Sequence, residues 1–493
     1  MIIVLVHGWS VTSFDTYGEL PARLRSEIEA GRLPGVQLRE IWLGSYVSFR
    51  DEVRMPDLAL AFEHALRREL SSELAGGERL AVITHSTGGP VVRDWWERFY
   101  RSTGAPCPLR HLLMLAPANF GSALAQLGKG RIGKLKSMLQ FVEPGTGVLD
   151  WLEHGSPEAF ELNHRHILGA DPAAAEDSVF LFVLTGQKID RALYDHVNAY
   201  TGEPGSDGVV RVAAANLNAR YIRLQQQRPP ADLDTDRQVP LRMVEQVDGP
   251  EVAFALIANR AHSGEDYGIL RSVRDNATRD PTVSAILACL KVSTLAEYRQ
   301  LKYRFEQSNA RIREKERAEI HKRFVFAREY FHDAHALLIV RIRDTEGRVP
   351  ESLDFKFTGK ANNPDNLPAG FIVDRQRNRL DPFTLSFYTN ADRLFGCEDI
   401  SHKGEVIRRR LPEVEQLGLE LFPRPRDGFV GFAKGRWPAS REVRDALIAP
   451  DRTTLVDVVL QRVVRRGTFE LANDPAGSFK DQPHGANLLL EGD

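Results

Sequence analysis

The chain is short of cysteine and of net charge, and each shortage removes a class of protein. Only Cys107, Cys289 and Cys397 occur in 493 residues. They lie about a hundred or more residues apart with no C-x-x-C spacing, so neither a zinc site nor a disulfide framework is expected, and three buried thiols are the simplest reading. Sixty-five Lys and Arg nearly balance 67 Asp and Glu, for a net charge of -2. A nucleic-acid partner would normally demand a basic surplus or stripe, so none is expected. No stretch approaches the roughly 20 continuous apolar residues that cross a bilayer, and any membrane contact should be peripheral. No basic segment with a small-residue cleavage site precedes the apolar run at residues 2–6; the expectation is a cytoplasmic protein, or one exported by a route that does not cleave it.

What is present is a large core: 42% of the 493 residues are hydrophobic, enough for two or three domains of roughly 150 to 200 residues. The stretch that organises them is Thr84-His85-Ser86-Thr87-Gly88-Gly89, where the strand-forming run Leu80-Ala81-Val82-Ile83 gives way to a helical pattern. A serine on so sharp a strand-turn-helix elbow needs small residues two before and two after it, and Thr84 and Gly88 fill those places. Ser86 would then project from the sheet edge as a nucleophile. An ordinary loop with Ser and Thr capping a helix would read the same way in isolation, so the surroundings must decide.

Residues 2–6 are apolar at every position, as in a parallel strand buried on both faces, and end in His7-Gly8-Trp9. The backbone N–H groups of Trp9 and of Thr87, just after the serine, are candidate donors to an oxyanion. A helix around residues 17–29, a strand around 36–43 and a helix with Leu58, Phe62, Leu66 and Leu70 at four-residue spacing precede the elbow; a helix with Val91, Val92, Trp95, Trp96 and Phe99 and a strand at 111–115 follow it. This alternation predicts a parallel sheet with helices on both faces. Another strand is expected at 178–185. Gly205-Ser206-Asp207-Gly208-Val209-Val210 then places an acid at the head of a loop, and a last strand at 251–258 leads to His262, a candidate general base.

Between these, residues from about 122 to 170 read as a helical cap with glycine breaks. Leu127, Ile132, Leu135, Met138, Leu139 and Phe141 are interleaved there with Lys129, Arg131, Lys134 and Lys136. That composition suits acyl chains and anionic head groups, with Leu135, Met138 and Phe141 as candidate substrate contacts, and equally a packed cap with a solvated basic face. His164 and His166, in Asn163-His164-Arg165-His166, are spaced as alternating strand or loop residues and could suggest a metal pair, but no third or fourth ligand lies nearby, and neither a metal nor a cofactor is expected.

The order nucleophile, acid, histidine after a His-Gly strand resembles the α/β-hydrolases. More narrowly the chain resembles their lipase branch, in His7-Gly8-Trp9, the elbow, the loop Ala116-Pro117-Ala118-Asn119-Phe120-Gly121-Ser122, the acid loop Ser206-Asp207-Gly208-Val209-Val210, and His262-Ser263-Gly264. The likeness covers residues 1 to about 290 and extends more loosely to phospholipase-like members and antibacterial lipase effectors. Thr84 departs from the usual glycine, and the Asp207–His262 interval is long, with a polar run at 225–248. The resemblance implies a hydrolase of carboxylic esters, most readily of lipids, using Ser86, His262 and Asp207. A hydrolase of soluble esters, thioesters or amides stays open, as does a non-catalytic scaffold.

Residues 293–328 read as a charged connector helix with a solvated basic face. Beyond it Leu353, Phe355 and Phe357, then Phe383, Leu385 and Phe387, then Leu417, Leu419 and Leu421 alternate with period two, and 336–342 and 454–464 read as further strands. A β-rich, sandwich-like domain is expected over 329–493, after a hydrolase domain at 1–292. Its role is open, a protein partner being one use for it. Asn362, Asn363, Asp365 and Asn366 suit a turn around Pro364 better than calcium.

Overall fold

Strand β1 (Ile2–His7) explains its unbroken apolar run directly: Ile2, Val4 and Val6 enter one hydrophobic cluster, and Ile3 and Leu5 another. A strand whose alternate side chains both find a core lies in a sheet covered on both sides. In the computed structural model, which describes residues 1–7, 17–43, 52–127, 145–175, 178–189, 202–228, 238–276, 279–323, 326–425 and 430–464, this is the central region of a six-stranded sheet. With β2 (Gln37–Trp42), β3 (Leu80–His85), β4 (Leu109–Leu115), β5 (Phe180–Thr185), β6 (Arg220–Gln226), β7 (Gln238–Asp248) and β8 (Ala253–Leu256) numbered along the chain, its order is β2-β1-β3-β4-β5-β8. Every pair in it is parallel. Helices Met55–Glu69 and Gly88–Trp96 cover the first face, with Phe62 against Trp95. Helices Leu20–Glu29 and Pro281–Leu290 cover the second. This is the α/β sheet expected from the alternation of elements.

β6 and β7 lie inside the span assigned to the first domain, yet they join a different sheet. After the hairpin β9 (Ala318–Arg323) and β10 (Phe326–Phe331) come β11 (His335–Asp344), β12 (Ser352–Thr358), β13 (Ile372–Arg377), β14 (Thr384–Asn390), the small hairpin β15 (Ile400–His402) and β16 (Glu405–Arg408), β17 (Leu417–Arg424), β18 (Val430–Phe432), β19 (Lys434–Ser440) and β20 (Thr453–Leu460). Nine of them form a mixed sheet in the order β12-β17-β19-β7-β6-β20-β11-β14-β13. The antiparallel β6–β7 pair sits at its centre, parallel to β20 on one side and β19 on the other. The described part of the polar run from 238 to 248 is therefore a strand of the second sheet, and no boundary at 292 separates the two sheets in sequence.

The nine-stranded sheet curls over. Phe387 on β14 meets Phe355 at 4.7 Å and Phe357 at 4.9 Å, both on β12 at the far end of the strand order. Its concave side thus encloses a sandwich-like core with Leu338, Val340, Val456 and Leu419. The convex side is also buried: Leu337, Ile339, Leu455 and Tyr221 belong to the same cluster as Trp95 and Phe160 of the first region. β11 repeats the logic of β1, alternate residues serving two cores.

Two expected elements differ. The charged helix runs Leu295–Lys315, opened by a Thr294–Glu297 capping box, and stops well before 328. Ile320, Phe326, Tyr330 and Phe331 favour extended backbone, and the chain turns into the β9–β10 hairpin. The helix is more than a connector. It lies on the edge strand β8, where Asn309 Oδ1 accepts from Leu256 N at 2.7 Å, Asn309 Nδ2 donates to Phe254 O at 2.9 Å, and Tyr298 Oη accepts from Ala253 N at 3.0 Å. Side chains thus satisfy backbone groups that an open edge would leave exposed. His164 and His166 stand on helix Pro157–Leu168, started by the Ser156 N-cap and Pro157, rather than on a strand or loop. Of the thiols, Cys289 is buried, whereas Cys107 and Cys397 are partly exposed. Asn362 accepts from Ala439 N at 2.8 Å and Asn363 caps the turn at Asp365.

Candidate active site

The candidate nucleophile is held by strain that the elbow residues make tolerable. Ser86 follows β3 with φ 54°, in the left-handed region that non-glycine residues rarely occupy. Its N–H donates to Leu115 O at 3.0 Å, and its carbonyl accepts from Ala118 N at 3.3 Å, so the turn is tied to β4 and the loop after it. Gly88 and Gly89 show why bulk is excluded. A Cβ at Gly88 would lie 3.2 Å from Thr84 Cβ, and one at Gly89 would lie 2.9 Å from Pro117 Cβ. Thr84 fits in place of the usual glycine because Gly88 leaves that volume empty. Its hydroxyl is buried and finds no hydrogen-bond partner among the described residues.

The acid loop is folded so that one carboxylate oxygen is spent on the backbone and the other is aimed outward. Asp207 Oδ1 accepts from Val209 N at 3.0 Å and Val210 N at 2.8 Å. Gly208, at φ 97°, makes the reversal. Oδ2 meets His262 Nδ1 at 2.9 Å, and His262 Nε2 lies 3.2 Å from Ser86 Oγ. A ring whose Nδ1 faces a carboxylate carries its proton there, leaving Nε2 to accept from the serine hydroxyl. The main chain doubles the link, His262 N donating to Asp207 O at 2.9 Å. Asp207 is 0% exposed and His262 2%. The structure brings Ser86, His262 and Asp207 into one hydrogen-bonded relay across 176 and 55 residues of sequence.

His85, next to the serine, packs its ring 4.8 Å from that of His262. Burial, with the neighbouring His262, pushes its pKa well below the usual histidine range, so it stays neutral and adds no competing positive charge. Tyr17 was not singled out by sequence reasoning, because a lone tyrosine before a helix carries no pattern. Its hydroxyl donates to Val6 O at 2.7 Å, close to the carboxyl ends of β1 and β3. The loop at 116–122 is fixed from several sides: Asn119 accepts from Arg93 at 3.2 Å and donates to Ala215 O at 2.8 Å, and Ser122 Oγ donates to Val209 O at 2.6 Å. A Cβ on Gly121 would run into Leu152 O.

Of the two oxyanion candidates, Thr87 follows Ser86 at the head of helix Gly88–Trp96, and Trp9 lies outside the described residues. Leu135, Met138 and Phe141 lie outside them too. The described flanks of the expected cap are packed rather than free-standing: Trp151 and Phe160 are core residues, and Arg379 of the second sheet region bonds Glu153 at 2.6 Å. Among the described residues no group of three or more His, Cys, Asp or Glu side chains could hold a metal ion, and no helix is long and apolar enough to cross a membrane.

The all-parallel sheet and the serine elbow define an α/β-hydrolase. No protein-family model matches the sequence, and no curated protein does. Among solved structures, phospholipase PlaB from Legionella pneumophila is 37% identical, with a TM-score of 0.83 and a match covering 97% of each chain. A second structure of that protein, in complex with thio-NAD, matches with the same values. The chain belongs to the family of phospholipase PlaB. The likeness takes in the nine-stranded sheet as well as the hydrolase sheet.

Proposed function

We propose that this protein is a serine hydrolase of lipid carboxylic esters, most simply a phospholipase. The observation that carries the reading is the Ser86–His262–Asp207 relay on a strained elbow, in a chain related end to end to phospholipase PlaB. His262 takes the proton of Ser86 as its oxygen attacks the ester carbonyl, then gives it to the departing alcohol. Asp207 holds the imidazole in the required tautomer and stabilises it when it is charged. The N–H of Thr87, with that of Trp9, receives the developing oxyanion. Water, activated by the same histidine, releases the acyl group. The substrate is presented at a lipid surface that the protein meets peripherally, without nucleic acid and without a cofactor.

Labelling with a serine-directed fluorophosphonate tests the mechanism: wild type should be labelled, Ser86→Ala should not. Lipid mass spectrometry of membrane extract before and after treatment tests the substrate, with free fatty acid and a lysolipid as expected products. A labelled protein that leaves phospholipids intact would retain the serine mechanism and discard the lipid assignment.

A further inference from the structure

The acid loop is gripped from below by residues more than a hundred positions away. Arg211, at the base of the loop, is 2% exposed and makes a two-pronged pair with Glu203 at 2.8 and 2.9 Å. A third bond, at 2.5 Å, goes to Asp374 on β13 of the second sheet. The guanidinium also lies 4.1 Å from the centre of the Tyr388 ring on β14. Burial alone would lower the Arg211 pKa; the Glu203 pair more than offsets it, so the charge is locked in. Tyr388 reaches past the arginine to donate to Pro204 O at 2.8 Å and Gly205 O at 3.0 Å. Its other face stacks on His335 of β11 at 4.7 Å, a ring that burial holds neutral, with its pKa lowered to about 4. Gly205, at φ 74°, has no room for a Cβ because the Tyr388 hydroxyl and the His335 ring occupy that space.

These contacts act on the segment that aims Asp207. Val212 N donates to Gly205 O at 2.9 Å, and Asp207 N donates to Val210 O at 3.1 Å, closing residues 205–212 into a small hairpin whose turn Asp207 opens. Fixing its base from β11, β13 and β14 fixes the direction of the carboxylate. We propose that Arg211, Asp374 and Tyr388 form a clamp by which the nine-stranded sheet positions the catalytic acid, making the second sheet part of the hydrolase's working machinery rather than an appended module. These are positioning residues: they act on His262 only through Asp207. The inference rests on the proposed Ser86–His262–Asp207 mechanism.

The test uses the full chain with Tyr388→Phe, which removes only the hydroxyl, Asp374→Asn, and the charge-preserving Asp374→Glu. Arg436→Gln serves as control, since it breaks an ion pair with Glu420 elsewhere in the same sheet. On a soluble p-nitrophenyl ester, Tyr388→Phe and Asp374→Asn should lower kcat on the order of 10-fold with KM little changed, because small misplacements of a reacting group are costly. The acid limb of the pH–rate profile should move to lower pH as Asp207 supports the imidazolium less well. Asp374→Glu should recover part of the loss, and Arg436→Gln should keep wild-type kcat and profile despite a comparable fall in Tm. Wild-type kcat and acid limb in both clamp variants would overturn the clamp while leaving the mechanism intact, as would equal losses in the control. If Ser86→Ala keeps full labelling and turnover, the mechanism itself falls, and the clamp with it.

Discussion

Thr84→Val exchanges a buried hydroxyl that has no partner among the described residues for a methyl group of nearly the same shape, at the one position where the elbow departs from glycine. Thr84 is 0% exposed at the penultimate position of β3, paired with Val6 and Met114. A buried polar group left unbonded costs about 1–3 kcal/mol, and valine keeps the β-branched shape that suits a strand. The variant should therefore gain about 1 kcal/mol, raising Tm by on the order of 1–2 °C for a chain of this size, with fluorophosphonate labelling at the wild-type rate because the Ser86 backbone does not move. The same geometry sets a second expectation. The Cβ of Gly88→Ala would stand 3.2 Å from Thr84 Cβ and 3.8 Å from its Cγ2, an overpacking that costs about 1–3 kcal/mol and twists the elbow. Replacing Thr84 with glycine removes the obstructing atom, so Gly88→Ala should be milder in a Thr84→Gly background, with a coupling of about 1 kcal/mol or more. Differential scanning fluorimetry with labelling rates on Thr84→Val and on the four proteins of the cycle measures both. A lower Tm for Thr84→Val would refute the unpartnered-hydroxyl argument, and additive effects of Gly88→Ala and Thr84→Gly would refute the claim that one residue occupies space the other vacates.

Asp392 is held above its ordinary range, at about 6, first by burial and then by the neighbouring Asp333, with Arg408 and Arg317 opposing. A raised carboxyl pKa means that the folded chain holds the proton more tightly than the unfolded one, so ionised Asp392 subtracts stability, fully above pH 6 and not at all well below its ordinary 3.8. Asp392→Asn should raise Tm at pH 7.5, by about 1–3 kcal/mol in stability, with the advantage gone near pH 3.5; an equal gain at both values would sink the assignment. Asn309→Ala strips both bonds from the edge of β8 and should cost about 2–3 kcal/mol, read as a fall in Tm, whereas exposed Lys360→Ala should change nothing. A fragment ending at residue 292 should be insoluble, since it keeps β6 and β7 without β19 and β20 and exposes β8; recovery of a monomeric fragment with a sharp melting transition would show that the first sheet folds without the second.

The hydrolase sheet was legible because its signals are local. The apolar runs at 2–6 and 80–83, the small residues around Ser86 and the glycine after Asp207 each report a backbone requirement within a few positions, and their order along the chain supplied the rest. The β-rich second region was legible for the same reason: Phe355, Phe357, Phe387, Leu419 and Leu421 alternate in sequence and are buried in the structure. The end of the charged helix at Lys315 was missed because its basic residues continue past the point where Ile320 and the later aromatics change the backbone preference.

What local pattern could not convey is which sheet a strand enters. β7 presents exposed residues at most of its positions, Met243 and Val244 among them, and such a strand looks like a polar loop unless its neighbours are known. Its neighbours, β6 and β19, come from both sides of the charged helix. The same holds for Arg211, Asp374 and Tyr388, whose types are unremarkable until the fold brings them within bonding distance of the acid loop. Insertion of β6 and β7 between Asp207 and His262 has a mechanical consequence: the chain passes from the acid into the centre of the second sheet, returns through β8 and only then delivers the histidine. The two halves of the Asp207–His262 hydrogen bond are thus anchored on opposite sides of one excursion through the nine-stranded sheet. A change in how that sheet packs, through Leu337, Ile339 and Leu455, on the cluster around Trp95 and Phe160 would be felt at the relay through covalent connection and through the Arg211 clamp together.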